Sequence, residues 1–105
     1  MTNFCQIWLT VGGKEEANKI ANALLVKRLV ACAKQIPVVS DYHWQAKIEN
    51  AKEVLLVMDS KIDHFEAIEK EIKALHSYDT FVLQAVPVAR LSKSAEKWLV
   101  AEVQS

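Results

Sequence analysis

The longest run of alternating apolar and polar positions lies between Ile36 and Glu49. Ile36, Val38, Tyr42, Trp44, Ala46 and Ile48 fall on one parity, and Gln35, Asp41, His43, Gln45, Lys47 and Glu49 on the other. A period of two with one apolar face is a strand pattern. Extended back through Val30 to Ala33, residues 28–49 form a run of roughly twenty residues and about 60 Å, several times the usual strand. No other apolar run matches that length. The pattern therefore predicts either a fold-back at a bulge near Pro37 or pairing with a second copy of the chain, and the exposed apolar edge favours the second.

The other elements flank this run. Residues 4–11 carry bulky apolar groups on both parities, which predicts a strand with both faces covered, ended by Gly12-Gly13. Ala17, Ile20, Ala21, Leu24 and Leu25 form a helical stripe, with Glu15 and Glu16 in a first turn where the helix dipole favours acids. After the long strand, Glu49 to Lys52 reads as a turn and residues 53–59 as a short apolar strand. Ser60 to Asp63 opens a second helix with a capping-box-like pair, and Ile62, Phe65, Ile68, Ile72 and Leu75 supply its buried stripe. A loop follows over 76–80, a fourth strand over 81–88 stopped by Pro87, and a short helix marked by Ala95, Trp98, Leu99 and Val103.

The order βαββαβ plus a helix predicts one α+β domain over residues 1–105, a ferredoxin-like sandwich with a four-stranded antiparallel sheet and two helices on one face. Its third strand lies between the first and second, which places Cys5 and Cys32 about 10 Å apart, too far for a disulfide. The opposite sheet face stays bare while Phe4, Trp8, Tyr42 and Trp44 project from it or its extension. An apolar patch of that kind predicts a homo-oligomer joined sheet against sheet.

Composition narrows the partners. Thirteen basic and thirteen acidic residues leave a formal net charge of zero, so nucleic acid and anionic membranes are not expected partners. The sequence has neither a membrane-length apolar run nor a signal-peptide layout, which makes the expected location cytoplasmic. Both cysteines sit in apolar strand-like runs and are expected to be reduced, buried thiols.

Several segments together resemble the CutA family of divalent-ion tolerance proteins: Arg28-Leu29-Val30-Ala31-Cys32-Ala33, Ile36-Pro37, Ser40-x-Tyr42-x-Trp44-x-x-Lys47-Ile48, Glu53-x-Leu55, His76-x-Tyr78, and Pro87-Val88 followed by Trp98. They cover nearly the whole chain in order. The resemblance implies a ferredoxin-like protomer, a homotrimer in which long second strands pair between subunits, an assembly like that of the P-II signalling proteins, and a link to copper and other divalent metals. The chain departs from the family pattern at Ala46, where glycine is usual, at Ser77, Phe81, Val82 and Ala95, and at Leu9, where some members carry a cysteine linked to copper.

Candidate chemistry is sparse. His76 matches the family histidine and suits copper or zinc; its structural alternative is a loop ring bonded to the backbone. Cys32 offers a soft ligand for Cu(I), against simple burial in a strand. Tyr42 and Trp44, with Lys47 and Tyr78, are expected to line a pocket between subunits for a small anion, or merely to pack there. Trp98 reads as a core anchor, and His43 and His64 as solvated. The chain has no Cys-x-x-Cys loop after the first strand for a heavy-metal domain, no aromatics in Val54-Leu55-Leu56-Val57 for RNA stacking, and no arginine loop of acylphosphatase type. With no catalytic constellation either, the expected function is a non-enzymatic trimer in metal tolerance, or a P-II-like signalling or scaffold trimer without a metal role.

Overall fold

A computed structural model describes residues 3–104. Strand β1 (Phe4–Val11) leads into helix α1 (Lys14–Val26), then strands β2 (Cys32–Trp44) and β3 (Lys47–Lys61). A single 3-10 turn (Ile62–His64) precedes helix α2 (Phe65–Leu75), strand β4 (Leu83–Pro87) and helix α3 (Lys93–Glu102). The sheet order is β2-β3-β1-β4, antiparallel throughout. This is the ferredoxin-like arrangement that the element order predicts, with the third strand between the first two.

The long run is not one strand. It reverses at Gln45 and Ala46, both in the left-handed region (φ 50 and 64), as a two-residue turn of the type that matches strand twist. Residues 49–52, expected as a turn, lie inside β3, which pairs with β2 from Cys32↔Asp59 to Trp44↔Lys47. The long strand therefore finds its partner within its own chain, and the argument that its length demands a second copy falls away. Beyond Val54, where β1 stops pairing, β2 and β3 continue as a two-stranded ribbon, and the molecule extends to 45 Å along its long axis.

The core forms where β1 lays Cys5, Ile7, Leu9 and Val11 under Ala17, Ile20 and Leu24 of α1 and Ile68 and Ile72 of α2, with Leu56 and Met58 beside them. Cross-strand partners share a face. Thus Trp8, opposite Val57 and Gln84, looks away from the helices, as do Glu53, Tyr42 and Trp44.

Helix α1 ends through Arg28 at φ 57, with Arg28 N–H donating to the Leu25 carbonyl and Leu29 N–H to the Leu24 carbonyl. This is a Schellman closure with arginine where glycine is usual. Ser60, expected to cap α2, instead lies buried in β3 and donates its hydroxyl to the Leu29 carbonyl at 2.6 Å. Ser60→Ala orphans that carbonyl and should cost about 1–2 kcal/mol, read as a lower urea midpoint at unchanged slope; an unmoved midpoint would contradict this role.

Two further expectations fail. Trp98 is 44% exposed, and Leu99 and Val103 anchor α3 instead. His64 is buried, with Nε2 2.7 Å from the Gln104 carbonyl, because the chain end folds back over the 3-10 turn. Gln104 also bonds the carbonyls of Lys27 and Arg28.

Candidate functional site

A groove of about 770 Å³ opens on the sheet face away from the helices, between the β2–β3 ribbon and the loop joining α2 to β4. That volume lies in the range of small-molecule sites. Trp8, Tyr42, Trp44, Tyr78 and Phe81 supply aromatic lining, and Glu53, buried, and Asp79 are its acids.

The loop is held by a hydrogen-bond network between three elements. His76 has a fully buried side chain; its Nε2 lies 2.9 Å from the Thr10 carbonyl, and the Tyr78 backbone N–H donates to its Nδ1 at 3.0 Å. A carbonyl only accepts and an amide N–H only donates, so these partners assign the neutral ring with its hydrogen on Nε2. The ring stacks on Phe81, with centroids 5.1 Å apart and planes at 14°. Glu16, at the start of α1, accepts N–H bonds from Gly12 at 2.9 Å and Ser77 at 2.6 Å. Burial works to raise its carboxyl, but the hydrogen bonds from Gly12 and Ser77 bring it below the ordinary value.

Tyr78 completes the link by donating its hydroxyl to Glu53 Oε2 at 2.8 Å. Burial, and then the Glu53 carboxylate, push the phenol up to about 12, which keeps the hydroxyl protonated as the donor in this bond.

Of the residues singled out from the sequence, Tyr42, Trp44 and Tyr78 meet at the groove, whereas Lys47 does not line it. Both ring nitrogens of His76 are engaged in shaping the loop. Cys32 and Cys5 are free thiols. Cys32 is half-buried, with Sγ 3.9 Å from Lys34 Nζ, and pairs with Asp59, opposite Gln6. The His76 contact at Thr10 is four residues further along β1, about 13 Å away, so Cys32 and His76 cannot share an ion. Burial, with Asp59, raises the Cys5 thiol to about 11, away from the thiolate that binds metal. Among the described residues no group of three or more His, Cys, Asp or Glu side chains is placed to hold a metal.

Glu16 and Glu53 are the groove-shaping positions that sequence reasoning passed over. Glu16 reads as a helix-dipole acid and Glu53 as the first residue of an apolar strand; only the tertiary contacts at Ser77 and Tyr78 give them their roles. The one available signal was the Glu53-x-Leu55 match.

A family model described as CutA1 divalent ion tolerance protein matches residues 5–102. The divalent-cation tolerance protein CutA of Archaeoglobus fulgidus is 36% identical over 104 residues, covering 99% of this chain and 100% of the relative. A structure described as the periplasmic divalent cation tolerance protein CutA from that organism superposes with a TM-score of 0.92, covering 99% of this chain and 100% of that one. CutA1 from Oryza sativa superposes with a TM-score of 0.95 at 25% identity, over 98% and 95% of the two chains.

Proposed function

Because the chain belongs to the CutA1 divalent ion tolerance family, we propose that it acts as a non-enzymatic homotrimer in cytoplasmic copper tolerance, through a ligand held in the groove where a neighbouring subunit borders it. The observation that carries this reading is the groove itself. Tyr42 and Trp44 stand on a strand whose outer edge is unpaired in the described chain, and they line the groove together with the hydrogen-bonded Glu53 and Tyr78. A free strand edge invites pairing with another copy, and Trp44 is 48% exposed and Ile48 75%, which leaves the ribbon with apolar surface for a subunit to cover.

The engagement of both His76 nitrogens favours a second reading, in which a trimer of P-II type signals through a small molecule without a metal role. Deletion of the gene in its own host separates the two. Copper sensitivity of the deletion strain, relieved by the wild-type chain but not by Glu53→Gln, is the expected result, with light scattering giving the mass of three chains. Unchanged growth on copper would leave only the second reading, and a monomeric mass would remove the assembly from both. Fractionation of the same cells checks the compartment, since the A. fulgidus relative is described as periplasmic.

A further inference from the structure

We propose that the groove selects a small organic cation, an ammonium group carrying apolar substituents; this rests on the reading that the groove is a ligand site. Sequence reasoning expects a small anion there, held by Lys47, yet among the described residues no lysine or arginine lines the groove. The titratable side chains other than tyrosine that line it are two acids, Glu53, only 8% exposed, and Asp79, with one histidine, His43.

Glu53 makes one side-chain hydrogen bond among the described residues, from the Tyr78 hydroxyl to Oε2. No buried side-chain polar atom among them lacks a partner, so Oε1 keeps some exposure on a residue that lines the groove. A carboxylate in a half-desolvated, apolar hollow needs a countercharge, and an anion entering beside it meets repulsion that water screens only weakly. Meanwhile the walls are aromatic. Trp8, Tyr42, Trp44 and Tyr78 present electron-rich rings, and a cation over such rings gains most where it is desolvated.

These two features specify different parts of the guest. The carboxylate calls for positive charge. The rings call for charge spread over apolar groups that shed water easily, which a small hydrated metal ion does not offer, and three ligating side chains do not gather here. An alkylammonium meets both demands, and the volume of about 770 Å³ admits such a group with substituents attached.

The test is a titration of the intact protein, at constant ionic strength, with tetramethylammonium, with tert-butanol as an uncharged group of similar shape, and with acetate. The indole N–H signals of Trp8 and Trp44 are followed by NMR. Tetramethylammonium should shift them saturably, and tert-butanol should bind at least about tenfold more weakly. Glu53→Gln preserves an acceptor for the Tyr78 hydroxyl while removing the charge, and should weaken the cation by about the same factor; Trp44→Leu, at an exposed ring, should weaken it as well. Equal binding of the cation and the alcohol, or full affinity in Glu53→Gln, overturns the proposal. Binding of acetate in preference to the cation also overturns it but keeps the groove as a ligand site. Silence from all three probes removes both the cation and the groove as a site.

Discussion

His76→Ala should lower the stability of the protein by about 3 kcal/mol and loosen the loop that walls the groove. The side chain is fully buried, so its removal leaves a hole beneath Phe81 and strands two backbone groups, the Thr10 carbonyl and the Tyr78 N–H. Each orphan costs about 1–3 kcal/mol, and the lost ring contacts add a cavity term. Chemical denaturation at one fixed protomer concentration gives the magnitude. Hydrogen exchange gives the location, with the Tyr78 amide expected to lose protection before the β1 amides do. A metal-ligand role would leave the metal-free protein as stable as wild type. A loss well under 1 kcal/mol would therefore return His76 to the list of candidate ligands.

Glu16→Gln should cost about 2 kcal/mol near neutral pH, and the penalty should shrink in acid. The carboxylate accepts two backbone N–H bonds, from Gly12 and Ser77, whereas the amide has one acceptor oxygen and turns its NH₂ toward the second donor. Folding lowers this carboxyl from its ordinary value of 4.5. A depressed acid contributes stability that is fully present above the unfolded value and is lost as pH falls through the folded one. Wild type and variant should therefore separate above pH 4.5 and converge below it. A gap of constant size across that range would mean that the side chain acts through packing and not through charge.

Both substitutions act on one small assembly, and its distance from the sheet centre explains its importance. The core under α1 and α2 holds β1 and β3 together whatever the 76–82 loop does. The groove has no such support. Its outer wall depends on His76, Glu16 and Tyr78 tying that loop to the end of β1, the start of α1 and the middle of β3, so contacts away from the core decide whether a ligand site exists.

Hydrophobic pattern alone determined the element order, the antiparallel sheet with β3 at its interior, and the helix-facing residues Ile7, Leu9, Ile20, Leu24, Ile68 and Ile72. These follow from burial, and burial follows from periodicity in a single chain. The two chain reversals escaped because their left-handed residues are Arg28, Gln45 and Ala46, none of which signals a turn as glycine does. The two glycines present, Gly12 and Gly13, occupy no left-handed position. Reading through Gln45-Ala46 moved the hairpin turn to residues 49–52, which lengthened the second strand, shortened the third and turned the mismatch into an argument for a second subunit. The roles of Ser60, His64, Glu16 and Glu53 likewise required the tertiary structure. Each is set by a partner tens of residues away, at Leu29, Gln104, Ser77 and Tyr78, and a polar side chain carries no periodic mark of the distant group it will meet.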